Sequence, residues 1–210
     1  MTSEKAKKRN AILMVLMDPP AGDEQEFHHW YDYEHVPERA RIPGIKTVQR
    51  YVCVEGWPRY MALYDLTHIG VLKEPAYMEV SGANFSPWSK RVIGAIRGWT
   101  RTEATQIAPG PASTGEKGVP LRLAVLRMRG VSARHEEKLG AILQAFVAGT
   151  PGVLQWRLFK TTPEAGTDLY GIIELAAPVP LAAFNWKALA LPSGNVDIAN
   201  MYSRYWRRDP

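Results

Sequence analysis

A pattern that returns once along the chain limits its fold more than any other feature. Ile42-Pro43-Gly44-Ile45 recurs as Thr150-Pro151-Gly152-Val153, and Tyr64-Asp65-Leu66 is echoed by Ile173-Glu174-Leu175. Arg97-x-Trp99-x-Arg101 returns as Arg204-x-Trp206-x-Arg208. Three matches in one order, at a nearly constant offset, indicate an internal duplication. Between the copies, 108–119 is rich in Pro, Gly and Ser and has no hydrophobic period, which is linker chemistry. The chain divides accordingly into a basic tail (1–10), a first half (11–107), the linker (108–119) and a second half (120–210).

Each half reads as strand, helix, hairpin, helix, strand. The apolar run 11–17 predicts a short buried strand. A helix is expected over 23–35, with Asp23 as N-cap and Glu26 as its capping-box partner, and Pro37 limiting its continuation. Strands 46–54 and 60–66 flank the turn Glu55-Gly56-Trp57-Pro58, weaker helices cover 74–80 and 88–93, and 97–107 closes the half. In the second half the strands fall at 121–128, 153–160, 169–175 and 198–206, with helices at 133–148 and 181–189. The fold class is therefore α+β. Two tandem ferredoxin-like βαββαβ units are expected, their antiparallel sheets facing each other as an intramolecular α/β barrel. A cavity is expected between the sheets or under a helix.

Composition narrows the function classes. Hydrophobic residues make up 46% and charged residues 22% of the 210, an ordinary globular balance. The single cysteine, Cys53, excludes an internal disulfide and fits a reducing, cytoplasmic setting. The net charge of +5 sits in basic ends without a nucleic-acid motif, and it favours small anions. No apolar run has membrane-spanning length. The expected partner is a small apolar or aromatic substrate, with neither nucleic acid nor membrane; a homo-oligomer is compatible with the duplication.

The chemistry concentrates in Phe27-His28-His29-Trp30-Tyr31-Asp32-Tyr33-Glu34-His35-Val36-Pro37. On an α-helix, His28, Tyr31, Asp32 and His35 would share one face. Asp32 would orient His35, whose imidazole would act as acid or base, and Tyr31 would donate to a developing oxyanion. Trp30, Tyr60, Tyr64, Trp88 and His28 would shape the binding slot; Tyr60 and Tyr64 have the same parity on one strand. The plainer alternatives are that Trp30 is core, that His28 is a surface residue and that Asp32 makes only an intrahelical pair. Arg97 and Arg101 read as structural because they repeat. No metal signature and no cofactor motif appears, so none is expected, with haem and a divalent metal as the lesser alternatives.

The segments Trp30-Tyr31-Asp32-x-x-His35-Val36-Pro37, Ile42-Pro43-Gly44 and Arg50-Tyr51 resemble bacterial proteins of the dimeric α/β-barrel superfamily, in the group that includes the EthD-like proteins. Pro58-Arg59-Tyr60-x-x-Leu63-Tyr64 and Ser86-Pro87-Trp88 extend the resemblance over 12–105. The second half departs from it, with Lys138, Gly140 and Leu143 in place of the polar helix residues. The resemblance implies a barrel with one polar site. That superfamily spans cofactor-free oxygenases, lactone isomerases, polyketide cyclases and haem-degrading enzymes, so the resemblance leaves the reaction open. The expected activity is cofactor-independent acid–base catalysis of isomerase, cyclase, lyase or oxygenase type on a small carbonyl compound. The alternative is a non-catalytic small-molecule binding protein on the same scaffold.

Overall fold

The computed structural model describes residues 9–132, 135–161, 168–191 and 193–206. The basic residues Lys5, Lys7 and Lys8, together with Arg207 and Arg208, lie outside them. Eight strands form one closed antiparallel barrel: β1 (Ala11–Asp18), β2 (Ile45–Glu55), β3 (Tyr60–Leu66), β4 (Arg97–Ala108), β5 (Arg122–Arg129), β6 (Val153–Thr161), β7 (Leu169–Leu175) and β8 (Asn195–Arg204). Their order around the barrel is β1-β3-β2-β8-β5-β7-β6-β4. The strands of the first half are neighbours in the order β4-β1-β3-β2, those of the second in the order β8-β5-β7-β6. Pairings β2·β8 and β4·β6 join the halves edge to edge, so each strand has a neighbour on both sides.

The side-chain alternation of the strands sorts the core into three parts. Even positions of β1 (Ile12, Met14, Leu16) meet Leu123, Phe159 and Tyr170 in a cluster drawing on all eight strands, which fills the barrel interior. Odd positions (Leu13, Val15, Met17) face outward and pack under the helices of the first half. A separate apolar cluster around Leu139, Leu143 and Phe146 lies under the helix of the second half. The barrel interior is thus packed, and the cavity that holds His35 lies outside it, under the helices of the first half. The repeated Pro-Gly turns have a backbone cause: Gly44 has φ +90° and Gly152 φ +73°, where a Cβ would also strike Val71 and Ala177 respectively.

The helices differ from the sequence expectation more than the strands do. The first runs as α1 (Glu24–Trp30), a π turn (Tyr31–His35) and α2 (Val36–Ala40). Pro37 does not end it, because the wide π turn just before relieves the proline's clash with the preceding carbonyls. Asp23 sits at the N-cap without a side-chain cap bond, and Glu26 is taken by Arg91 and Trp88 instead. The later helices are α3 (Pro75–Met78), α4 (Pro87–Ala95) and α5 (Glu136–Val147). Where the sequence predicts a helix over 181–189, two short 3-10 turns stand, Leu181–Ala183 and Trp186–Ala188, separated by Phe184 and Asn185 in non-helical backbone.

The linker is no loose tether. Arg157 is fully buried and donates to Asp65 Oδ1 at 2.5 Å and Glu174 Oε1 at 3.1 Å. The same carboxylates accept backbone N–H bonds from Thr114 and Gly115, both at 2.9 Å. Asp65 and Glu174 are the acids of the repeated strand motif. One buried cation therefore ties both halves and the linker together.

Candidate functional site

The π turn decides which polar side chains meet. It adds a residue to one turn of the helix, so His35 does not fall on the face that holds His28 and Asp32. Asp32 accepts from Arg50 Nη1 at 2.8 Å, and Arg50 Nη2 donates to His28 Nδ1 at 2.6 Å. The Arg50 guanidinium carbon lies 4.4 Å from the Tyr31 ring centre and 4.1 Å from that of Tyr205. Burial and the Arg50 charge push His28 down to about 4, which keeps its ring neutral as the acceptor. Among the described residues no hydrogen bond or ion pair joins Asp32 to His35. The expected Asp32–His35 couple is replaced by Asp32–Arg50–His28.

His35 lies on the other side of the turn. Its ring packs on Trp30 at 4.4 Å between centres and edge-on to Tyr31 at 5.3 Å. Trp30 is fixed in turn: its Nε1 donates to Ser89 Oγ at 3.0 Å, and Ser89 donates to Glu34 Oε1 at 2.9 Å. Ser86 caps α4 by accepting from the Ser89 N–H and also donates to Glu34. Burial first, then the charges of Arg39 and Arg50, hold the His35 pKa well below that of free histidine. The ring is neutral at pH 7 and able to take a proton.

His35 lines a cavity of about 340 Å³ between the outward face of β1, β3 and β4 and the helical layer. Its walls are mainly apolar, including Leu13, Val15, Leu72 and Ile93, with Trp99 and the exposed Met78 toward solvent. Two cavity side chains each carry a buried polar atom without a hydrogen-bond partner, His35 Nδ1 and Arg39 Nη1, and the Tyr64 hydroxyl meets that of Tyr31 beside them. Arg39 is 1% exposed. Its Nη2 donates to the Val80 carbonyl at 2.5 Å, and its guanidinium lies over the rings of Tyr77 and Phe85. The nearest carboxylate, on Glu38, stands 3.5 Å from Nη1 without hydrogen-bonding geometry. Burial raises the Glu38 pKa, which weakens it further as a counter-ion.

The remaining sequence candidates fall around this cavity rather than in it. Tyr31 is buried beside it, its hydroxyl donating to Met17 Sδ at 3.1 Å, with its pKa raised by burial. Tyr60 and Tyr64 share a face, but only Tyr64 reaches the cavity; the Tyr60 hydroxyl donates to Glu24. Trp88 Nε1 donates to Glu26 at 3.1 Å. Trp30 and His28 are outside its lining. Cys53 is half-buried and donates to the Glu55 carbonyl, and burial pushes its thiol up to about 11, far from a nucleophile's range. Arg39, Tyr77 and Arg101 were not among the sequence candidates. The one signal for Arg39 was its position four residues after His35, one helical turn along the same face.

Among the described residues no group of three His, Cys, Asp or Glu side chains could hold a metal ion. A haem fits poorly here. The cavity is at the small end of ligand sites, roughly 300–1,000 Å³, and a single imidazole reaches it, pressed against Trp30.

No family model matches the sequence, and no curated protein matches it. Solved structures do. An anthrone oxidase-like protein superposes with a TM-score of 0.62 at 13% identity, over 95% of this chain and 92% of that one. Chlorite dismutase from Candidatus Nitrospira defluvii, in complex with imidazole, gives 0.58 at 11% identity, over 92% and 91%. A monooxygenase candidate from Lactobacillus acidophilus NCFM gives 0.57 at 9% identity, over 94% and 93%. These structures share the closed eight-stranded barrel fold with this chain. At these identities the likeness concerns the barrel scaffold alone, and no helix among the described residues is long and apolar enough to cross a membrane.

Proposed function

We propose that the cavity under the first helical layer is the active site of a cofactor-independent acid–base enzyme for a small apolar or aromatic carbonyl compound. One observation carries this reading: a base, a cation and a phenol line one apolar cavity, and the base and the cation each have a buried polar atom left unpaired. Buried polar groups are normally paired, so two exceptions in one place indicate partners supplied by a ligand. Neutral His35 would take a proton from a carbon that the carbonyl acidifies, either beside it or through a conjugated ring. The negative charge developing on the carbonyl oxygen would be met by Arg39 Nη1, with the Tyr64 hydroxyl as a second donor. Return of the proton by His35 to the same carbon is exchange, and its return to another carbon is isomerisation. Trp30, held through Ser89 and Glu34, would keep the imidazole in place. None of these steps draws on a cofactor.

In this reading the barrel is two tandem ferredoxin-like units, consistent with the like order of strands in each half, and only the first retains a polar site. The EthD-like resemblance falls on that half. A cytoplasmic bacterial protein fits the lone cysteine.

The anthrone oxidase-like neighbour suggests a probe. Anthrone is a flat ketone whose enol is a phenol, so proton removal can be followed without any oxidation. Wild-type protein should accelerate deuterium exchange into the anthrone methylene, read by NMR under nitrogen. His35→Ala should abolish the acceleration while leaving binding, read by tryptophan quenching, within about threefold. Equal exchange in both proteins would remove His35 from the chemistry. Binding without exchange in the wild type would favour the carrier alternative, in which Tyr64→Ala or Trp88→Ala would be the more damaging change.

A further inference from the structure

The cavity holds a second arginine, nearer to solvent. Arg101 projects from β4 to the same outward face as Val15, with which it pairs in register. Its side chain is 34% exposed, whereas that of Arg39 is 2% exposed. Arg101 Nη2 donates to the Tyr77 hydroxyl at 3.1 Å, and Nη1 pairs with Glu103. Tyr77 is the link between the two cations. Its ring lies under the Arg39 guanidinium at 5.2 Å, and its hydroxyl accepts from Arg101. Trp99, two residues before Arg101 on the same face, adds a large flat surface at the mouth. The cavity is therefore graded: a poorly paired buried cation inside, apolar walls between, and a partly solvated guanidinium fork with an indole outside.

We propose that the ligand is an aromatic acid with two oxygen functions, a carbonyl or enolate taken inward by Arg39 and a carboxylate engaged at the mouth by Arg101. The assignment rests on the reading of the cavity as a carbonyl site. A planar fork recognises a carboxylate through two parallel N–H bonds, and the aromatic body of such a molecule suits the apolar walls and Trp99. Glu103 holds one end of Arg101 and so orients the fork while leaving it partly open to solvent. A substrate with a single acidic group engages only one of the two arginines, so Arg101 sets specificity and is separate from the proton transfer.

The test compares benzoate with isophthalate and terephthalate by calorimetric titration of the full chain. The better of the two diacids should bind at least about tenfold tighter than benzoate. Arg101→Gln should reduce that advantage to within about twofold. Arg101→Lys, which keeps the charge and loses the fork, should fall between, and serves if the glutamine variant does not fold. Diacids no tighter than benzoate, or an advantage that survives Arg101→Gln, would overturn the role given to Arg101. A different result, benzoate failing to bind or binding equally well to Arg39→Met, would overturn the carbonyl site itself.

Discussion

Arg157 and Arg39 are both almost wholly withdrawn from water, at 0% and 1% exposure, yet their surroundings are opposite. Arg157 is met by Asp65 and Glu174, by Thr114 and by a backbone carbonyl. Arg39 is met by one carbonyl, two aromatic rings and a poorly placed, partly exposed Glu38. A buried charge without a matched partner is costly. Where the chain supplies two carboxylates the cation is a fastener between halves and linker. Where it supplies none with good geometry, beside a cavity, the missing partner is best supplied from outside. Arg50, at 6% exposure and paired with Asp32, belongs with the first kind.

The contrast can be broken most directly by substitution of each cation. Arg157→Met leaves two buried carboxylates unneutralised and should cost about 3–5 kcal/mol in urea unfolding. Arg39→Met removes a cation whose burial is poorly compensated, so stability should move by no more than about 1 kcal/mol, while benzoate affinity falls by at least about tenfold. Equal destabilisation by both changes would make Arg39 a fastener too.

The histidines sharpen the comparison next. The folded state holds His28 and His35 neutral below the ordinary histidine value of 6.5, so the unfolded chain takes up protons first. Their contribution is full above pH 6.5 and is lost as pH falls toward about 4, where His28 protonates in the folded state. His28→Gln should flatten that part of a stability–pH curve by about 1 kcal/mol after allowance for solvent screening. Exchange catalysed by His35 should hold constant above pH 6.5. The smallest effect is expected from Tyr64→Phe, which deletes one buried hydroxyl: stability should change by about 1 kcal/mol or less, with exchange slowed by no more than about tenfold.

What the sequence reveals follows from how local each cause is. Strands β1, β3 and β7 were legible within a residue or so because their apolar runs are buried on both faces. The shared face of Tyr60 and Tyr64 follows from a period of two and needs nothing else. The cavity was not legible in the same way. Arg39 is buried under Val80, 41 positions away, and no local pattern announces that contact. The grouping of Asp32 with His35 failed because it presumed an unbroken α-helix through Tyr31–His35. Arg101 was set aside because it repeats in the second half, although repetition of a residue does not repeat its surroundings.

The π turn also has a bearing on how such a site could be gained or lost. Removing a single residue from Tyr31–His35, the exposed Tyr33 for instance, would restore ordinary helical phase and swing everything before it by roughly 100° relative to everything after. His35 would be turned away from its place at the cavity, or Asp32 pulled off Arg50, without any change in the identity of either. A lone codon deletion is enough to rewire the polar contacts of this helix while leaving the barrel beneath it intact.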